Sequence, residues 1–326
     1  MTMKKFFVIA LSALLMMMAI GLIYVNFTLP PGIKEYKVRM SSLGRGTSGD
    51  EYVTAILNCS LSEVPNTLSA LKVVGHNYTD AEAKAIAMEV FDMKGKLNIT
   101  RFNWTAYGPV LVVNGTQALE LYVDGALCYR PNSQEEGYDV KLPELSQAKE
   151  VADQFVEIFV KKAKSHGLMP SFPSIDFSKV DYVCWYGIPP RSTVPTEIGV
   201  GYKTLYNGIP LIFKGGIGVI IGDNGKILEF RCFWRNVEFA EAMPVTVSPE
   251  QAIQNMGNNS LVGRDPHKIQ KITINSVELG YFAPPPLLSV NEFLPAYEIE
   301  FVATFEDGSQ NVYVTYVSAT DTPVPY

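Results

Sequence analysis

Twenty consecutive residues without a charge, Phe6 to Val25, open this chain directly after Lys4 and Lys5. At about 1.5 Å per residue such a helix reaches roughly 30 Å, the thickness of the hydrocarbon layer of a bilayer. Lysines beside a first apolar span stay on the cytoplasmic side. The expected layout is a cytoplasmic N-terminus over 1–5, a transmembrane anchor in membrane lipid over 6–25, a linker over 26–50, and the remainder outside the membrane. A cleaved signal peptide is the rival reading. Its apolar region covers about 7–15 residues and ends at a small-x-small site, and Ile23-Tyr24-Val25-Asn26-Phe27 offers none.

Two further signals fit an outer compartment. Asn-x-Ser/Thr occurs at Asn26, Asn58, Asn77, Asn98, Asn103, Asn114 and Asn258, where about two sites are expected by chance if Ser and Thr fill roughly one position in eight. Asn26 is too close to the bilayer to be reached, so the candidate glycan sites are the other six. The competing explanation is that Asn and Thr are common in turns and strands. The four cysteines, Cys59, Cys128, Cys184 and Cys232, allow three disulfide connectivities. The pairing Cys59–Cys128 with Cys184–Cys232 keeps each bridge in one half of the chain, and buried free thiols are the alternative. No C-x-x-C is present, which disfavours a structural zinc or redox site.

The rest is rich enough in apolar residues to bury a core, at 47% hydrophobic and 18% charged. Three capped helices are expected. Thr79 to Met93 carries a capping-box spacing between Thr79 and Glu82. Ser146 to Ser165 has Ala148, Val151, Ala152, Phe155, Ile158 and Phe159 as its buried stripe and lysines in its last turn. A short helix follows Ser248-Pro249-Glu250. Strands are expected at Leu97–Trp104, Val110–Val113, Leu119–Val123 and Ala126–Tyr129, then at Lys179–Gly187, Glu197–Tyr206, Ile209–Lys214, Gly216–Ile221 and Lys226–Phe233, and finally at Lys268–Phe282, Ala296–Phe305 and Gln310–Val317. Asn114-Gly115, Asp124-Gly125, Asn207-Gly208, Asp223-Asn224-Gly225 and Asp307-Gly308 mark tight turns. The fold class is α+β: helices packed on antiparallel sheets in a repeated helix-plus-hairpin module. A polar loop at Pro131–Pro143 places a boundary between a membrane-proximal module, 51–140, and a larger ectodomain, 141–326, itself divided into 141–245 and 246–326.

Several stretches resemble YycH/YycI-type regulatory ectodomains and the wider PepSY-like modules. They are Tyr202-Lys203-Thr204-Leu205-Tyr206-Asn207-Gly208-Ile209-Pro210, Gly218–Ile221, Asp223–Ile227 and Trp234, then Val247–Ile253, Val277–Tyr281 and Leu294–Ile299. The resemblance runs from about Ser146 to Tyr326. It implies non-catalytic work outside the membrane: restraint of a membrane sensor kinase in the YycH/YycI manner, or inhibition and escort of secreted peptidases in the PepSY manner.

Catalytic chemistry finds little support. The three histidines, His76, His166 and His267, lie in separate segments, without H-E-x-x-H. Gly216-Ile217-Gly218-Val219-Ile220-Ile221-Gly222 has loosely spaced glycines but a hairpin where a dinucleotide loop needs a helix. No G-x-S-x-G occurs, and Ser171, Ser174 and Ser192 have no neighbouring base. Glu135-Glu136 and Glu298, Glu300 and Glu306 lack an EF-hand spacing. A net charge of −6 and no basic patch argue against nucleic acid. No enzyme activity, cofactor or metal is expected. Trp185, Tyr202, Tyr206 and Trp234 are the candidate partner groove, with core packing as the competing reading. The expected function is that of an anchored regulator or binding protein, whose partner is a membrane sensor or a secreted peptidase. A structural cell-envelope glycoprotein is the remaining option.

Overall fold

The computed structural model describes residues 34–40, 51–102, 108–131, 140–166, 182–188, 194–258, 269–286, 288 and 290–324. The expected anchor over 6–25 lies outside them. Among the described residues no helix is long and apolar enough to cross a membrane.

In chain order, β1 (Glu35–Met40), β2 (Glu51–Leu57) and β3 (Thr67–Val73) lead into α1 (Asp80–Ala85), followed by β4 (Asn98–Arg101), β5 (Val110–Asn114), β6 (Gln117–Leu121) and β7 (Leu127–Arg130). After α2 (Leu145–Ser165) come β8 (Tyr182–Gly187), β9 (Glu197–Tyr202), β10 (Leu205–Tyr206), β11 (Ile209–Phe213), β12 (Ile217–Ile221), β13 (Ile227–Cys232) and β14 (Val237–Pro244). The last elements are α3 (Pro249–Asn255), β15 (Ile269–Ala283), β16 (Glu292–Phe293), β17 (Pro295–Phe305) and β18 (Gln310–Ser318). The protein is thus α+β and sheet-rich, with few helices.

Local chemistry explains where the helices start. The Thr79 hydroxyl accepts from the Glu82 amide at 3.2 Å, and the Glu82 carboxylate accepts from the Thr79 amide at 2.7 Å. Ser248 and Gln251 repeat this at α3, where Pro249 takes the first helical position. Helix α2 begins at Leu145, one residue before the expected Ser146, with Glu144 as its capping residue. After α1 the helix widens into a π-turn over Ile86–Val90 instead of continuing to Met93. Asp92 then adopts a left-handed backbone, φ 54°, and the chain leaves for the sheet.

Eight antiparallel strands form the larger sheet, in the order β4-β5-β6-β7-β13-β12-β9-β8. Strands β7 and β13 meet at a central seam, with Cys128 opposite Arg231 and Tyr129 opposite Phe230. On one face α1 and α2 cover a core that includes Leu119, Leu121, Val200, Val219 and Phe230. The second sheet has seven strands, β1-β2-β15-β11-β10 plus β17 and β18 beyond β15, and buries Ile272, Ile299 and Phe301 against Ala252 and Ile253 of α3. A three-stranded sheet, β14-β3-β16, completes the layers.

Two expectations change here. The pairings of β15 with β2 and with β11 are parallel, so the second sheet is mixed, not purely antiparallel. Each large sheet also draws strands from both sides of residue 140: β7 pairs with β13, and β2 with β15. Hydrogen bonding therefore does not follow the sequence division at 140/141.

A candidate binding cleft between the helices

Helix α2 presents two different faces. Ala148, Ala152, Val156, Phe159 and Ala163 are fully buried against the sheet, and the three alanines let the helix approach closely. The expected stripe is therefore rotated. Val151 and Phe155 are only half-buried, and Ile158 is 57% exposed. This bulky flank faces the end of the π-turn, Val90–Asp92, across an open space.

Between α2 and the end of the π-turn, Val90–Asp92, lies a cleft of about 510 Å³. Its apolar walls include Val90, Phe91, Val151, Phe155, Ile158 and Ile227, with Tyr129 and Pro131 from the end of β7. The floor is aromatic: Phe91 lies 4.5 Å from Tyr129 and 5.7 Å from Phe159 between ring centroids, and Phe230 lies 5.1 Å from Phe155 and 4.7 Å from Phe159. The Tyr129 hydroxyl accepts from Gln117 Nε2 at 3.0 Å and donates to the Phe91 carbonyl at 3.4 Å, which fixes the ring that forms the floor. Burial raises the Tyr129 pKa, against the pull of the Gln117 bond, so the phenol stays neutral. Charge enters at the rim, where Lys162 Nζ meets Asp92 Oδ2 at 2.5 Å and Lys226 adds a further cation to the lining. Nothing in this set is a nucleophile with an oriented base. A pocket of this size with apolar walls and a few polar groups binds an apolar group.

Polar clusters elsewhere hold strands together. On the other face of the eight-stranded sheet, Glu229 accepts from Arg231 Nε at 2.8 Å, from the Cys128 thiol at 2.9 Å and from Arg130 at 3.4 Å. Arg130 also reaches Glu120 at 2.7 Å. Burial alone would raise the Glu229 pKa, but the Arg231, Cys128 and Arg130 contacts outweigh it and hold the carboxyl below its usual value. Where the sheets adjoin, Arg235 is fully buried, with Nε 2.6 Å from Asp124 Oδ2 and the guanidinium donating to the carbonyls of Phe233 and Pro284. This ties the β6–β7 turn to the end of β13 and to the loop after β15. Removing one member of such a buried pair costs about 3–5 kcal/mol. Among the described residues no group of three or more His, Cys, Asp or Glu is placed to hold a metal.

The sequence-derived groove residues do not form a groove. Tyr202, Tyr206 and Trp234 are buried, at 4%, 5% and 0% exposure, because their rings fill the core. Tyr206 packs on Trp234 at 5.7 Å and donates to the Arg235 carbonyl, while Tyr202 donates to Asp153 on α2. Trp185 sits on edge strand β8 opposite Gly199; its side chain lies outside the described residues. The disulfide expectation is also corrected. All four cysteines are free thiols. Cys184 on β8 and Cys232 on β13 are separated by β9 and β12, about 14 Å at ~4.8 Å per strand, where a disulfide needs Cα atoms within about 7 Å. Cys128 is engaged with Glu229, and Cys59 lies in the separate core under α3.

Of the candidate glycan sites, Asn58, Asn77 and Asn98 are exposed. The Asn114 amide is occupied, donating to the Lys94 carbonyl and to Gln117. Asn103, and the side chain of Asn258, lie outside the described residues.

The sequence reading missed the cleft, although Phe155, Ile158 and Phe159 were in its helical stripe. The available signal was the width of that stripe, more apolar surface than one sheet face can cover. No protein-family model matches this chain, and no curated protein matches it. Among solved structures, it is similar to an uncharacterized protein from Eubacterium rectale ATCC 33656, solved by crystallography at 1.45 Å, with a TM-score of 0.47 and 10% identity, covering 84% of this chain and 90% of that one.

Proposed function

We propose that this chain is a membrane-tethered, extracytoplasmic, non-catalytic binding protein that regulates a partner by direct contact in the cleft between α2 and the π-turn. The observation that carries the reading is the cleft itself: an open apolar recess with an aromatic floor, a protruding Ile158 and charge confined to its rim. A single apolar side chain from a partner, buried there, contributes about 1.5–3 kcal/mol, and a rim of weak exposed ion pairs adds orientation more than affinity. The partner segment that fits is an amphipathic helix or strand with one large aliphatic or aromatic anchor.

In this reading residues 6–25 hold the protein in the bilayer, and glycans occupy the exposed Asn58, Asn77 and Asn98. The eight-stranded sheet then consists of two related units, each a helix followed by four antiparallel strands, in the PepSY/YycI style. Their last strands, β7 and β13, are the ones that meet, which gives the strand order its mirrored form. The partner class is a membrane sensor, as in YycH/YycI-type control; the second reading is a secreted peptidase.

The test places a photo-crosslinking amino acid at Ile158 in the full chain in living cells, with Tyr52, exposed on β2, as the control position. The reading expects a membrane sensor or a secreted peptidase attached from position 158 and absent from position 52. Attachment of only further copies of this chain, or of envelope polymer, from both positions contradicts it and favours a structural surface role.

A further inference from the structure

Among the described residues β18 is an edge strand, and its hydrogen-bonding phase follows from its two ends. The Phe305 amide donates to the Ser309 carbonyl, and at the far end the Ala319 amide donates to the Pro295 carbonyl. Pairing between β17 and β18 runs without a register shift from Thr304–Gln310 to Ala296–Ser318. Bonded and non-bonded pairs alternate in an antiparallel ladder, so Asn311, Tyr313, Thr315 and Val317 bond to β17. The amide and carbonyl groups of Gln310, Val312, Val314, Tyr316 and Ser318 therefore point away from it. Among the described residues β18 pairs with no strand other than β17.

Proteins blunt such edges with charge, proline, bulges or a cover. Strand β18, QNVYVTYVS, has no charge, no proline and no bulge, and its Val312 and Val314 are 65% and 37% exposed. The edge strand at the other side of the same sheet, β1, carries Glu35, Lys37 and Arg39. When a strand pairs antiparallel with its own copy, only the residue on the two-fold axis faces itself, and a charge at that position is destabilising. An axis at the centre of the outward set of β1 would set Lys37 against Lys37, whereas β18 places an uncharged valine at that position.

We infer that β18 pairs antiparallel with β18 of a second copy of this chain, making one continuous sheet across a two-fold axis at Val314. Val314 is the centre of Gln310–Ser318, and it belongs to the outward-facing set. An axis there places Val314 opposite Val314, Val312 opposite Tyr316 and Gln310 opposite Ser318, with the outward backbone edge of one strand facing that of the other. The Val312–Tyr316 pairs are β-branched on aromatic, a favourable cross-strand combination. Identical surfaces meeting about a two-fold axis close the assembly at two copies and stop further edge growth. This inference is independent of the cleft.

The test uses the full chain purified in detergent micelles. Light scattering of the unmodified protein reports two copies. Val314→Cys gives a covalent dimer on mild oxidation, because residues opposite each other in a bonded pair lie about 5.5 Å apart at Cα, within disulfide reach. Val312→Cys does not, because its two copies are offset by four residues, about 14 Å. The unmodified chain, which keeps all four native cysteines, is the background control. Val314→Lys places two ammonium groups opposite each other and yields a monomer with unchanged circular dichroism. A monomeric unmodified chain, equal crosslinking from positions 312 and 314, or a dimer that survives Val314→Lys overturns the inference.

Discussion

Glu229 shows how one residue can join strands that are far apart in sequence. Its carboxylate gathers Arg231 from its own strand and Cys128 and Arg130 from β7, across the seam of the large sheet. Its pKa is lowered in the folded state, so its contribution to stability is present above the unfolded carboxylate value of about 4.3 and is lost as pH falls through the folded value. Urea titrations of Glu229→Gln against the unmodified chain check this. The variant is less stable near neutral pH, and the gap narrows on acidification below about pH 4. A gap that stays constant with pH contradicts the assignment. Arg235 is the opposite kind of residue, buried whole, ion-paired with Asp124 and donating to two carbonyls. Nothing in its local sequence marks it as buried, since arginine is almost never found inside without such partners.

At the scale of elements, helix α2 separates stability from recognition along one helix. Phe159 is 2% exposed and packs on Phe91 and Phe230, so Phe159→Ala removes a core ring and destabilises by about 3–5 kcal/mol. Ile158, its neighbour, is exposed, and Ile158→Ala changes stability by less than about 0.5 kcal/mol. Thermal or urea unfolding of the two variants reads this contrast directly. Much at this scale was legible in the sequence, because capping and turn chemistry act over three or four residues. The boxes at Thr79–Glu82 and Ser248–Gln251 form, and Asn207-Gly208 joins β10 to β11 with both residues at positive φ, 49° and 82°. The π-turn was not legible, since Ala83, Ile86, Ala87 and Val90 fit a regular helix equally well. The end of that widened turn forms one wall of the cleft.

For the whole molecule, non-local pairing decided what local pattern did not. The β7–β13 seam and the parallel pairs of β15 with β2 and β11 join segments 70 or more residues apart. Periodicity within a strand says which face is buried but not which strand lies alongside. The same gap explains the aromatic residues: Tyr206 and Trp234 were visible as a concentration, but only the assembled sheets show them as core, and half-buried Phe155 and exposed Ile158 as the accessible side of the cleft. The central claim is that this surface is where a partner docks. The most direct measurement is a binding titration of the partner captured from position 158 against the full chain and its Ile158→Gln variant, glutamine being a good helix former with a polar end. The account predicts a dissociation constant about ten- to a hundredfold higher for the variant, as expected for about 1.5–3 kcal/mol of lost apolar contact, at an unchanged melting temperature. An unchanged dissociation constant contradicts it.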